Sequence, residues 1–180
     1  MTNAERPWSA TIRLDEIAET GRHVEFEASE EVRAALAKPA GVDAIERLVA
    51  RFDLTRRGRD RLHVSGEVSG TVRQTCVVTL DPVTNEIDEP IDIDFAPPRE
   101  PRENTAEIDI DAASPNDEVE PLIANAVDLG LLATEFFILG IDPYPRKPGV
   151  AFDAPKTAPD PANHPFAQLA ALQKKTTVKK

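Results

Sequence analysis

The chain has 180 residues, of which 41% are hydrophobic and only 5% aromatic, so it is long enough for one domain with a mostly aliphatic core. The single cysteine excludes an intramolecular disulfide and a multi-cysteine metal site, and it is typical of a reducing compartment. No apolar run follows a basic stretch at the N-terminus, so we expect no signal peptide and a cytoplasmic protein.

Alternating residues predict that the chain begins with a β-hairpin. Residues 8–14 and 23–27 alternate between polar and apolar side chains, as two paired strands would. Ser29 then caps a first helix, which Pro39 ends. Apolar residues at helical spacing predict a second helix from Gly41 to Ala50.

The clearest pattern is the alternation from Val64 to Leu80. A period of two over this length indicates a half-buried antiparallel strand. Gly66 and Gly70 lie on its apolar face and indicate a bend or bulge there. The return strand is predicted at residues 87–95, where isoleucine and phenylalanine alternate with aspartate.

Two further elements are predicted before the C-terminal region. Ile108 and Ile110 mark a short acidic strand, and Asn116 or Asp117 would cap a third helix that runs to about Leu139. The most apolar stretch, residues 129–141, is too short to span a bilayer, so we expect no membrane partner.

Prolines dominate the C-terminal region. Seven prolines follow Asp142, so most of this tail is expected to be disordered apart from a short apolar helical patch at residues 166–172. We therefore predict an α+β fold, in which an antiparallel sheet packs against two or three helices. The expected organisation is a single domain over residues 1–142 and a Pro-rich, partly disordered tail over residues 143–180.

Acidic residues are concentrated in the middle of the chain. Residues 81–120 contain 14 acidic and 2 basic residues, a balance of −12 within a net charge of −11. Such a block repels phosphate, so we expect no DNA partner, and a basic protein is its natural complement. The alternative is a solvated strand face with an acidic loop. The candidates for binding a basic partner alternate along the predicted strands and are Asp92, Asp94, Asp109 and Asp111.

Basic side chains are concentrated just before the long strand. Five arginines, which would contact RNA phosphates or an acidic partner, are Arg51, Arg56, Arg57, Arg59 and Arg61. In the alternative, they pair with the acidic return strand inside the fold. Tyr144 and Arg146, in the stiff segment 143–148, either cross the domain or face a partner.

No arrangement of residues indicates catalysis or a metal site. Cys76 lies on the inner face of the long strand by parity, so a buried structural thiol is expected. The three histidines, His23, His63 and His164, lie in different predicted elements without ligand-like spacing. We therefore expect no enzymatic activity, no metal and no cofactor.

Three segments together resemble the YceD family, the large ribosomal RNA subunit accumulation proteins. They are the end of the long strand (residues 72–83), the apolar helix with the Asp-Pro-Tyr-Pro-Arg-Lys-Pro-Gly stretch (residues 127–135 and 142–149), and the apolar patch at residues 165–172. Many members have Cys-x-Arg-Cys-Leu at the end of the long strand. Here Cys76 occupies the first position, but Val78 and Thr79 replace the arginine and the second cysteine, so the second thiol is absent.

The resemblance implies a non-enzymatic factor that supports accumulation of large-subunit ribosomal RNA. Its expected partner is a large-subunit ribosomal protein, precursor rRNA, or both. Two alternatives remain at this point: a generic acidic adaptor or chaperone for basic proteins, and a small enzyme that uses Cys76 with one of the histidines.

Overall fold

The structure, a computed structural model, describes residues 7–98 and 119–152, which form seven strands, two α-helices and a short 3-10 helix at Leu14–Glu16. The strands are β1 (Thr11–Arg13), β2 (Arg22–Glu27), β3 (Ala44–Arg57), β4 (Arg61–Thr75), β5 (Pro82–Ala96), β6 (Val119–Pro121) and β7 (Ala126–Asp128), and the helices are α1 (Glu30–Ala37) and α2 (Leu129–Leu139). All of them belong to the first of the two units into which the chain divides, Met1–Val150 and Ala151–Lys180.

One five-stranded sheet organises the molecule. Its order is β2-β3-β4-β5-β6, with antiparallel neighbours except for the parallel pair β5 and β6. β1 and β7 form a separate two-stranded antiparallel ribbon. Two helices and this mostly antiparallel sheet give an α+β fold, as the sequence predicts.

The period of two in β4 separates a buried face from a polar one. Leu62, Val64, Val68 and Val72 are completely buried, while the odd-numbered residues between them are polar. The ring of Phe137 in α2 packs so closely on Gly70 that a Cβ there would lie 2.7 Å from its Cε2 atom. We refer to this covered side as the inner face and to the polar side as the outer face.

The predicted helix over residues 41–50 is wrong, because β3 begins at Ala44. A register shift between Ile45 and Arg47 places Ile45 opposite Val72 and Leu48 opposite Gly70, both on the inner face. Two core residues three positions apart therefore imitate helical spacing although the backbone is extended. The irregularity expected at the glycines of β4 lies instead in its neighbour β3.

The predicted first hairpin is also wrong. β2 pairs with β3, while β1 pairs with β7, more than a hundred residues later. Asp128, at the end of β7, also binds the residues just before β1. Its carboxylate accepts hydrogen bonds from the backbone N–H of Ala10 at 2.9 Å and from the hydroxyl of Ser9 at 2.8 Å. Pairing at such a separation leaves no local pattern in the sequence.

The last helix is shorter than predicted. It begins at Leu129 and is capped by Asp128, which accepts from the backbone N–H groups of Gly130 and Leu131 at 3.1 and 3.2 Å. The predicted start near residue 117 is wrong, because β6 and β7 come between. Ala124 and Asn125 both have positive φ angles, which turn the chain back before β7 and interrupt the helical pattern.

Some predictions fall on residues that the structure leaves out. The acidic strand around Ile108 and Ile110 and the apolar patch at 166–172 lie outside the described residues. The domain boundary after residue 142 stays a prediction. Within the described ranges, neither helix is long and apolar enough to cross a membrane.

Candidate partner-binding surfaces

Two of the five predicted arginines are used inside the fold. Arg51 lies on the outer face between Glu25 and Glu67, at 3.1 and 3.0 Å from their carboxylates, and the bond to Glu67 is the first cause of its raised pKa. Arg57 donates to Asp94 at 2.9 Å. The Arg57 pair matches the alternative in which the arginines pair with the acidic return strand, whereas Arg51 pairs with β2 and β4. Both side chains are partly exposed, at 40% and 53%, so these weak pairs reduce the charge offered to RNA phosphates without burying it.

The remaining arginines lie towards the turn that joins β3 to β4. Arg59 and Arg61 are exposed, and Arg56 is half-buried on the inner face. None of the ion pairs found within residues 7–98 and 119–152 includes any of these three. Among the five predicted arginines, the charge available to a partner is thus concentrated on these three.

Carboxylates follow one another along the outer face of β5. Glu86, Asp88, Asp92 and Asp94 occupy alternate positions opposite residues of β4, with Pro90 between the two pairs. Asp94 contacts Arg57 and, at 3.1 Å, His63. We call the other three, Glu86, Asp88 and Asp92, the acidic row.

The acidic row is open to solvent. The side chain of Asp92 is 79% exposed and lies 3.7 Å from His63, while Glu86 accepts a hydrogen bond from the hydroxyl of Thr71. In the described part of the chain, no lysine or arginine forms an ion pair with any member of the row. Of the predicted acidic residues, Asp92 and Asp94 lie on this strand, and Asp109 and Asp111 lie outside the described ranges.

The opposite end of the β4–β5 hairpin is held by a distant segment. The long strand ends at Thr75, and residues 76–81 form the turn. The backbone N–H of Val77 donates to the carbonyl of Pro145 at 2.9 Å, and the Lys147 ammonium lies 3.2 Å from the Asp81 carboxylate. We call residues 76–81 together with residues 142–148 the clasp.

A buried amide secures the clasp from the strand side. Gln74 is only 5% exposed; its amide nitrogen donates to the carbonyl of Asp142 at 2.9 Å, and its amide oxygen accepts from Asn85. Burial of a side-chain amide is costly unless both ends are hydrogen-bonded, as they are here. Gln74 therefore positions the segment that carries Tyr144.

Cys76 is a buried thiol inside the clasp, as its parity predicts. Its Sγ accepts from the backbone N–H groups of Thr79 at 3.5 Å and Lys147 at 3.4 Å. The Thr79 side chain, and then the N–H of Lys147, lower the pKa of the thiol from 9.0 to about 6, because donors stabilise the thiolate. In this position the sulfur joins the two halves of the clasp.

The clasp presents apolar and aromatic side chains to solvent. Tyr144 is 70% exposed and Leu80 is 76% exposed, and Arg146 is also at the surface. Leu80 has a positive φ of 61°, a conformation that costs an L-residue energy. Of the two readings left open for residues 143–148, the segment both packs on the domain and exposes Tyr144.

Sequence reasoning missed Gln74, Asp81, Lys147 and Asp128 as organising residues. Gln74 interrupts an otherwise apolar face, which is a signal of a buried polar contact. Asp128 directly precedes an apolar helix, the usual place of an N-cap. The pairing of Asp81 with Lys147 has no such signal, because 66 residues separate them.

None of the curated proteins and none of the solved structures compared with the chain matches it. A family model does match, over residues 64–173, and it is described as large ribosomal RNA subunit accumulation protein YceD. The matched range contains β4 from Val64 onward, β5, α2 and the whole clasp, and it begins after the arginines of the β3–β4 hairpin. It supports a ribosome-related role in general. Because it spans more than half of the chain, the protein belongs to the YceD family.

Proposed function

We propose that this protein is a non-enzymatic ribosome-biogenesis factor that supports accumulation of large-subunit rRNA by binding a basic large-subunit ribosomal protein through the acidic row. The observation that carries the proposal is the alignment of Glu86, Asp88 and Asp92 on one open strand face, where no lysine or arginine of the described residues forms an ion pair with them. Complementary charge of this kind steers association and fixes the orientation of the partners.

Precursor rRNA is the second candidate partner. Tyr144 is exposed beside Arg146, and an unstacked base packs on an aromatic ring while a guanidinium pairs with phosphate. Arg59 and Arg61 supply further positive charge at the other end of the sheet. The row lies on β5 and Tyr144 lies in the clasp, so the two candidate partners would use different residues.

Affinity purification from a lysate, with and without nuclease, tests the proposal. The wild-type chain should recover one or a few large-subunit ribosomal proteins, identified by mass spectrometry, in a nuclease-resistant manner. The double variant Asp88→Lys, Asp92→Lys should lose them because it reverses the charge of the row.

The matched control is Arg59→Gln, Arg61→Gln, which changes two exposed charges of the opposite sign. This variant should retain the proteins and reduce only nuclease-sensitive RNA. Equal recovery of many unrelated basic proteins would identify a generic adaptor instead, and recovery of no ribosomal component would contradict both candidate partners.

A further inference from the structure

An apolar groove of about 600 Å³ lies between α2 and the end of β5. Ile93 and Phe95 contribute the inner face of β5, and Leu131 and Phe136 contribute one side of α2. The groove is distinct from the acidic row, because Ile93 and Phe95 point to the opposite side of the sheet from Asp92.

The outer lip of the groove is an isoleucine held away from the core. Ile123 lines the groove and is 71% exposed. It is followed by Ala124 and Asn125, which have φ angles of 52° and 55°, and its carbonyl accepts from the N–H of Ala126 at 3.1 Å. This tight turn therefore holds Ile123 at the surface, where its side chain extends the apolar wall of the groove.

Carboxylates border the apolar floor. Glu120 and Glu135 both line the groove and are exposed. The ion pairs formed among residues 7–98 and 119–152 include neither of them. A third carboxylate, Asp128, is already used as the cap of α2. The groove therefore combines an apolar floor with a rim that attracts positive charge.

We propose that this groove binds an amphipathic helix with a basic polar face, supplied by a protein partner. An apolar groove of this kind takes side chains spaced i, i+3 or i+4, and i+7 along one side of a helix. The lysines or arginines that flank this apolar side would then face Glu120 and Glu135. The inference goes beyond the proposed function, because the groove lies on the other side of the sheet from the acidic row and is a second, separate surface.

A designed peptide of about 18 residues tests the groove directly with the full-length protein. The probe has leucine at i, i+3, i+4 and i+7 positions and lysine elsewhere. Two control peptides are compared with it. The first has the same leucine and lysine content in an order that forms no apolar face, and the second keeps the order of the probe but has glutamate in place of every lysine. Isothermal titration calorimetry should give at least tenfold weaker binding for the first control and no detectable binding for the second.

Paired variants locate the binding. Ile123→Lys and Glu135→Lys should each weaken binding of the probe at least tenfold, since both change groove residues that are largely exposed. Leu139→Lys and Glu19→Lys are the matched controls; they make the same charge changes at exposed positions outside the groove and should leave the affinity within twofold of wild type.

Three results would overturn the inference. The first is equal affinity for the probe and its reordered control, and the second is equal loss of binding in the groove variants and their controls. The third is occupation of the groove by this chain itself. Binding of the probe only after removal of residues 99–118 would identify that segment as the occupant, and a dimer that Ile123→Lys dissociates would identify a second copy. If the probe peptide does not bind but ribosomal proteins are still recovered, the groove proposal alone is rejected. If the probe peptide binds but no ribosomal protein is recovered, the acidic-row proposal is rejected.

Discussion

The two ends of the β3–β4–β5 sheet are built differently. The β3–β4 turn is a short, exposed hairpin turn of residues 58–60, in which Gly58 has a positive φ of 77°. The β4–β5 turn is held by backbone bonds, an ion pair and a thiol contact from residues 142–148. A turn fixed by a distant segment presents its side chains in one arrangement, which lowers the entropic cost of binding.

The family match follows the same division. It begins at residue 64, after the arginine hairpin, and includes both halves of the clasp. Because a distant segment holds the clasp, we expect changes there to have larger consequences for stability than changes at the arginine hairpin.

The largest effect is expected for Gln74→Leu. It leaves the carbonyl of Asp142 and the amide of Asn85 without their partner, which costs about 1–3 kcal/mol of unfolding free energy. Urea denaturation should show a lower midpoint with an unchanged slope. Arg61→Gln, at the exposed end, is the control and should leave the midpoint unchanged; a larger loss there than at Gln74 would reverse the comparison.

Substitutions at the positive-φ residue of each turn, Gly58 and Leu80, should affect stability differently. Gly58→Ala places a side chain at positive φ with open space around it, so backbone strain alone should cost about 1 kcal/mol. Leu80→Gly relieves such strain and should be neutral or stabilising by up to about 1 kcal/mol. A clear loss for Leu80→Gly in thermal denaturation would mean that Leu80 is needed for the clasp itself.

The thiol of Cys76 should make stability depend on pH. Its folded pKa of about 6 is below the value of 9.0 for a free thiol, so the thiolate stabilises the fold fully above pH 9, and this contribution is lost as the pH falls through 6. The stability difference between wild type and Cys76→Ser should therefore widen from pH 6 to pH 9. The nearby Asp81 titrates below this window, because Lys147 lowers its pKa. A difference independent of pH would contradict the hydrogen-bonded thiolate.

The smallest effect on stability is expected for Tyr144→Ala. Its ring is 70% exposed, so unfolding free energy should stay close to wild type, whereas RNA recovery in the affinity experiment should fall. The variant thus separates binding from folding at the clasp. Marked destabilisation would show that the ring is a structural part of the clasp.

The parts of the fold that were predicted correctly from sequence are those in which apolar and polar residues alternate regularly along a strand. The faces of β4 and β5 follow from alternation alone, and so does the burial of Cys76. The register shift in β3 defeated the same reasoning, since it places Ile45 and Leu48 on one face at helical spacing. The clasp was missed for another reason: Asp81 and Lys147 meet through the fold, and although each lies in a distinctive segment, nothing in either segment indicates the other as its partner.

The ratio of large-subunit to small-subunit rRNA, in cells depleted of this protein and supplied with variants, tests the central claim most directly. The ratio should fall on depletion and be restored by wild type and by Arg59→Gln, Arg61→Gln, whereas Asp88→Lys, Asp92→Lys at equal protein level should fail to restore it. An unchanged ratio on depletion, or full rescue by the charge-reversed row, would contradict the account.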